Sequence, residues 1–245
     1  METNDVKSIW SEDFEVSWMD TDMYNHAKLS AIFNYLQEVA WQHAENLGFG
    51  YEAARKNGQI WVIVRMLMKI SRYPVWRQKI KVETWPRGIS GMWAFREYRI
   101  KDEAGKVMGG ASSSWLVLDA KIRKPVIPEI VLHALPYTNK QPALDELTSK
   151  IHPVENMNFL DRHEIGFSEI DAYQHVNNAH YIDWITDALY KFDHWIKINR
   201  FHINYLSEAK MHDLVNLKYS QSGDRMMVKG ETDSGDKPVF LAEIN

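Results

Sequence analysis

The sequence predicts an α+β protein built as two tandem repeats, each a long central helix wrapped by a curved antiparallel β-sheet. Three observations predict it. Asp22-Met23-Tyr24-Asn25-His26 recurs as Asp171-Ala172-Tyr173-Gln174-His175, an offset of 149 residues that also pairs Glu15 with Glu164, Val16 with Ile165 and Trp18 with Phe167. A helix-spaced apolar stripe follows each copy of this Asp-x-Tyr-x-His motif. Segments of period-2 alternation joined by short polar turns follow each stripe, which reads as meanders rather than βαβ units.

Taken in order, a strand-like segment precedes each motif. Leu29, Ile32, Phe33, Leu36, Val39, Ala40 and Leu47 form one apolar face on a helix from about Lys28 to Leu47. Its counterpart runs from about Asn177 to Tyr190, where Tyr181, Ile182, Trp184, Ile185, Ala188 and Leu189 share a face. Alternation in Ile80-Lys81-Val82-Glu83-Thr84 and Val215-Asn216-Leu217-Lys218-Tyr219 marks strands. Further strands are expected at about 59–70, 91–101, 107–119, 198–206, 225–231 and 238–244. The proline-bearing stretch between the repeats lacks alternation, so the domains are expected at 1–125, a connector at 126–158 and a second repeat at 159–245. One apolar helix face per repeat needs one sheet face to cover it. The two sheets are expected to pair edge to edge and the repeats to dock as one rigid unit.

Composition narrows the chemistry. The chain has 245 residues and a formal net charge of −4, which argues against a strongly basic nucleic-acid binder. It has no cysteine, so a disulfide framework, a thiolate nucleophile and Cys-ligated metal are excluded. The first ten residues resemble no secretory or transit segment, and the apolar run 60–70 is interrupted by Arg65 and Lys69, so a cytoplasmic protein without membrane insertion is expected. No metal-binding His spacing, phosphate loop or Gly-x-Ser-x-Gly elbow occurs.

Several segments together carry a resemblance. They are Ile60-Trp61-Val62-Ile63-Val64-Arg65-Met66, then Ser71-Arg72-Tyr73-Pro74-Val75-Trp76, then Ala111-Ser112-Ser113-Ser114-Trp115-Leu116-Val117, then Asp171-Ala172-Tyr173-Gln174-His175-Val176-Asn177-Asn178 with Tyr181, and finally Asn204-Tyr205-Leu206-Ser207-Glu208-Ala209. In order and approximate spacing the chain resembles the plant and bacterial acyl-acyl-carrier-protein thioesterases, a double hotdog fold. The resemblance implies hydrolysis of fatty acyl-acyl carrier protein to free fatty acid, ending chain elongation, with no cofactor and with acyl carrier protein as partner. An acyl-CoA thioesterase and a non-catalytic acyl-binding protein are the alternatives, and a homodimer is the oligomeric state considered.

By position, the family's catalytic Asp, Asn, His and Glu fall on Asp171, Tyr173, His175 and Glu208. Two departures matter. Tyr173 stands where the family has Asn, so the amide's task either falls to the phenol or passes to Asn177 or Asn178. Ala209 stands where many plant members carry Cys, which leaves no thiol route. Two carboxylates and a His can hydrolyse a thioester without a metal. In this reading Asp171 activates water or attacks the carbonyl, Glu208 orients the water, and His175 positions the acid and the carbonyl. Backbone N–H groups near Val176 to Asn178, at a helix start, would hold the oxyanion.

The acyl chain needs an apolar slot, for which Phe33, Leu36, Trp61, Ile63, Met66, Met68 and Trp93 of the first repeat are the candidates. The cluster Arg65, Lys69, Arg72, Arg77, Lys79 and Lys81 reads either as a steering surface for an acidic carrier protein or as a solvated strand face. Without the resemblance, Asp171 and His175 read as a polar loop capping a helix, and Asn177 and Asn178 as helix caps. The first repeat has Tyr73 and Pro74 where the second has Glu208 and Ala209, so Asp22 and His26 read as a silent counterpart.

Overall fold

The computed structural model describes residues 6–129, 131, 138–191, 197–233 and 238–245. The chain divides into two compact units, Met1–Thr148 and Ser149–Asn245.

In the first unit, β1 (Trp10–Glu15) leads through a 3₁₀ turn to α1 (Leu29–Asn46) and the short α2 (Tyr51–Lys56). The strands β2 (Gln59–Ile70), β3 (Lys79–Ser90), β4 (Trp93–Asp102) and β5 (Val107–Asp119) follow, and the two-residue β6 (Pro125–Val126) pairs with the end of β5. All pairs are antiparallel, in the order β1-β3-β4-β5-β2. The predicted stripe of α1 is the buried face: Ile32, Phe33, Leu36 and Val39 have no solvent exposure. Each such side chain contributes about 1.5–3 kcal/mol against leaving it in water.

The end of α1 is fixed by Gly48 at φ 75°, a left-handed position that only glycine adopts without penalty. Gly48 N–H donates to the Glu45 carbonyl and Phe49 N–H to the Ala44 carbonyl, both at 3.0 Å, the paired bonds of a Schellman stop. The reversal packs Phe49 onto Ala44 and Trp61.

The second unit repeats the plan with β7 (Asn158–Glu164), α3 (His180–Lys191), β8 (Arg200–Tyr205), β9 (Leu214–Ser222), β10 (Arg225–Thr232) and β11 (Pro238–Ile244), ordered β8-β11-β10-β9-β7. Tyr181, Ile182, Trp184, Ile185, Ala188 and Leu189, the predicted face, are all buried. The expected connector is partly structured onto the first unit: Trp85 Nε1 donates to the Gln141 carbonyl at 2.8 Å, and Ala143 N–H donates to Glu97 at 3.0 Å. Part of it, 130 and 132–137, lies outside the described residues. Among the described residues no helix is long and apolar enough to cross a membrane.

Candidate active site

The repeated motif folds the same way in both units. In the second, Asp171 Oδ1 accepts the N–H groups of Tyr173 at 2.8 Å and His175 at 3.4 Å, and Asp171 N–H donates to the His175 carbonyl at 2.8 Å. In the first, Asp22 Oδ1 accepts from Tyr24 and His26, both at 2.9 Å. Gln174 and Asn25 occupy the left-handed region at φ 64° and 66°. The carboxylate thus builds the loop, as an Asx-type acceptor does, and the His is carried at its exit.

A second segment meets each loop. Val176 N–H donates to the Ala209 carbonyl at 3.5 Å, and Ala27 N–H donates to the Pro74 carbonyl at 2.7 Å. Ala209 and Pro74 are therefore equivalent, which makes Glu208 the counterpart of Tyr73. His212 and Arg77, three residues further on, share the left-handed conformation at φ 72° and 63°. This contact sets Glu208 Oε2 3.0 Å from His175 Nε2. In the first unit the Tyr73 ring faces the His26 ring, with centroids 6.0 Å apart. Burial and the Asp22 carboxylate push the Tyr73 phenol up, so it stays neutral.

The expected catalytic residues are therefore brought to one place: Asp171, Tyr173 and His175 on the loop, Glu208 across from them, and Asn177 and Asn178 at the helix entry. Their contacts differ from one another. Glu208 meets the imidazole, and its side chain is 42% exposed while that of His175 is 19% exposed. Asn177 Oδ1 accepts the N–H of Ala179 at 3.0 Å, so Asn177 caps the start of α3. The Asn178 carbonyl accepts the Tyr205 hydroxyl at 3.0 Å. The backbone N–H groups expected to hold an oxyanion are partly spent: that of Asn177 donates to the Glu169 carbonyl at 2.9 Å and that of Val176 to Ala209.

Glu169, absent from the sequence-based set, is the anchor beneath this loop. Its carboxylate accepts His163 Nε2 at 2.8 Å, Gly166 N–H at 2.7 Å and Trp184 Nε1 at 2.5 Å. Burial works against its charge, but these donors outweigh burial and hold the carboxyl below its ordinary value. The repeat could have revealed it. Asp20, 149 residues earlier, accepts Tyr35 Oη at 2.7 Å where Trp184 serves in the second unit.

The first unit holds an apolar cavity of about 60 Å³, with Trp41, Phe49, Trp61, Ile89, Phe95 and Trp115 in its wall. Of the seven expected acyl-slot residues, only Trp61 lines it. Phe33, Leu36, Met66 and Met68 have no solvent exposure, and Ile63 has 5%. Trp93 carries the Arg65 guanidinium over its ring at 4.7 Å. Of the basic cluster, Lys69 pairs with Asp145 and Glu146, Arg72 with Asp102, and Lys81 with Asp13. Among the described residues no group of three or more His, Asp or Glu side chains is placed to hold a metal ion.

Comparison with known proteins decides the family. The model of the acyl-ACP thioesterase N-terminal domain matches residues 7–133, and that of the C-terminal domain matches residues 153–238. The chain belongs to the acyl-ACP thioesterase family. The oleoyl-acyl carrier protein thioesterase of Coriandrum sativum is 28% identical over 227 residues, covering 84% of this chain and 61% of that protein. Oleoyl-acyl carrier protein thioesterase 2 of Arabidopsis thaliana is 28% identical over 257 aligned positions, covering 96% of this chain and 70% of that protein. Both are named as chloroplastic. The crystal structure of an acyl-ACP thioesterase from Bacteroides thetaiotaomicron superposes with a TM-score of 0.87 at 23% identity, covering 97% of each chain. The 12:0-ACP thioesterase of Umbellularia californica gives 0.83 at 18% identity, covering 97% of this chain and 96% of that one. The architecture of this family member is accordingly the double hotdog.

Proposed function

We propose that this chain hydrolyses the thioester of fatty acyl-acyl carrier protein, releasing free fatty acid and ending elongation. The observation that carries the reading is the pairing of His175 with Glu208 at 3.0 Å in the second unit, at the loop built by Asp171. The first unit has the same loop with a tyrosine in place of the carboxylate.

In this mechanism Asp171 has one oxygen committed to the loop, and Oδ2, with no hydrogen bond among the described residues, is the basic atom. It takes a proton from water, or attacks the thioester carbonyl itself. Glu208 fixes the imidazole of His175, the pair orients the carbonyl, and on the water route the proton held by Asp171 passes to the departing thiolate sulfur. Tyr173 replaces the family's amide as the side chain beside the carbonyl, with Asn177 and Asn178 supporting the helix entry. Acyl carrier protein is the partner in this reading and a homodimer its oligomeric state. The cytoplasm is the compartment, in keeping with a chain that has no cysteine.

The test is release of free thiol from acyl-carrier-protein thioesters by the wild type, Asp171→Asn and Glu208→Gln, each checked for folding by circular dichroism. Turnover by the wild type with loss of about 10²-fold or more in both variants supports the proposal. Faster turnover of the matching CoA ester would replace acyl carrier protein by CoA as the carrier, and binding without turnover would make the chain an acyl-binding protein.

A further inference from the structure

In the first unit Tyr73 stands where the second has Glu208, and the outer side of that loop is strongly apolar. Trp18 is 65% exposed, Met19 78% and Met23 74%, and Tyr24, Val75 and Trp76 are exposed beside them. Backbone bonds join the three segments that carry these side chains. Lys28 N–H donates to the Asp20 carbonyl and Ala27 N–H to the Pro74 carbonyl, both at 2.7 Å, and His26 forms a β-bridge with Val75. The Trp18 and Trp76 rings meet edge to face with centroids 5.0 Å apart. These side chains form one patch rather than scattered exposures.

Cations rim the patch. Lys28 Nζ donates to the Met19 carbonyl at 3.1 Å, and the Arg77 guanidinium lies over the Trp76 ring at 4.5 Å. The carboxylates of the same segments are engaged: Asp20 Oδ2 accepts Ser17 Oγ at 2.6 Å and Tyr35 Oη at 2.7 Å, and Asp22 Oδ1 accepts the N–H groups of Tyr24 and His26. Glu15 is exposed, but it lies opposite Lys79 in the β1–β3 register. The field at the rim is therefore positive.

The duplicated loop shows that folding does not call for this surface. Met19, Met23, Lys28 and Arg77 are replaced by Ser168, Ala172, Asn177 and His212 in the second unit, which builds the same backbone frame. Phe167 and Met211 keep an apolar character at the positions of Trp18 and Trp76. The protruding methionines and the two cations are what set the first unit apart.

We propose that this patch is a lipid-docking surface that seats the first unit on an anionic bilayer at headgroup depth. Trp and Tyr rings, apolar with a polar edge, settle at that level, while Lys and Arg meet the phosphates. Met19 and Met23 stand at the tips of two turns, the 3₁₀ turn Trp18–Asp20 and the motif loop, clear of the rest of the unit. Such side chains sink into fluid acyl chains without a preformed pocket, whereas a close-packed protein partner must supply a pocket for each. The docking is interfacial and crosses no bilayer. It goes beyond thioester hydrolysis and does not depend on it.

The test is co-sedimentation of the full chain with vesicles of equimolar phosphatidylglycerol and phosphatidylcholine, and with vesicles of phosphatidylcholine alone. The wild type should bind the mixed vesicles more tightly, and its affinity for them should fall about tenfold or more between about 0.05 and about 0.5 M sodium chloride. Trp18→Ser combined with Met19→Ser should weaken binding to both vesicles by about tenfold or more. Lys28→Gln combined with Arg77→Gln should weaken binding to the mixed vesicles by about tenfold or more, at roughly fivefold per cation, and leave binding to phosphatidylcholine unchanged. All four side chains are exposed, so circular dichroism should be the same in each variant. A wild type that stays in the supernatant overturns the inference, as does binding that survives intact in the folded Trp18→Ser, Met19→Ser variant. Without vesicle binding, a dimer that this variant splits in sedimentation velocity gives the face to a second copy of the chain, and a raised KM for acyl-carrier-protein thioesters gives it to the carrier protein; both overturn the inference. Vesicle binding is read without turnover, so a chain that binds lipid as described but releases no thiol removes the hydrolase reading and leaves this one.

Discussion

Glu208 and Tyr73 occupy equivalent positions in the two units. Each precedes the residue whose carbonyl accepts the N–H just after the motif His: Ala209 for Val176, and Pro74 for Ala27. The backbone frame is thus duplicated, but a carboxylate faces the His in one unit and a neutral phenol in the other.

This asymmetry predicts an unequal response to the same substitution. His175→Ala should lower thiol release by about 10²-fold or more, the usual scale for an acid–base group. His26→Ala should leave it within about twofold, because among the described residues no carboxylate pairs with it. Steady-state rates with one acyl-carrier-protein substrate check both. Comparable losses in the two variants would mean the first loop also does chemistry.

Glu208→Gln separates chemistry from stability. Its side chain is 42% exposed and its partner is an imidazole at the surface of the loop. Such exposed pairs contribute about 0–1 kcal/mol. Urea midpoints of wild type and variant should therefore nearly coincide while activity falls. A large drop in midpoint would make Glu208 a structural residue.

Much of this frame was legible in the sequence, and the reasons differ by element. α1 lies within one residue of its expected ends because an apolar stripe and Gly48 mark it. α3 begins at His180 rather than Asn177, because Asn177 spends its side chain on Ala179 N–H and its carbonyl on His180 N–H before the helix starts. α2 has six residues, too few for a period to show. The cavity was the least legible feature. Its wall is gathered from α1, Phe49, four strands, Val131 and Thr138, and of the residues the sequence nominates for an acyl slot Trp61 lines it. Glu169 escaped notice because acid in a short turn reads as an ordinary solvated residue until Trp184 and His163 are seen around it.

Glu169→Gln should destabilise the chain by about 1–3 kcal/mol, since three donors then face a neutral amide in a half-buried place. The carboxyl is held below its ordinary value in the fold, so the stabilisation is present above the unfolded value, near 4.3, and is lost as pH falls through the lower folded value. Unfolding free energies at pH 7 and pH 3.5 should differ less in the variant than in the wild type. An unchanged difference would show that other carboxylates carry the acid response.

His43 carries the strongest pH prediction. Its side chain has no solvent exposure, and burial together with the Arg96 guanidinium lowers its pKa to about 3, outweighing the bond to the Lys7 carbonyl. The unfolded chain takes up this proton near 6.5, whereas the folded chain resists until about 3, so the unfolded state binds more protons between those values. Stability contributed by the neutral imidazole is therefore complete above pH 6.5 and declines as pH falls toward 3, by up to about 1.4 kcal/mol per pH unit. His43→Gln keeps an acceptor for Arg96 and a donor for Lys7 but cannot titrate. Urea unfolding at pH 7.5 and pH 5 should show a smaller loss in that variant than in the wild type. Parallel losses would mean that protonation of His43 is not coupled to folding and that water reaches its ring in the folded chain.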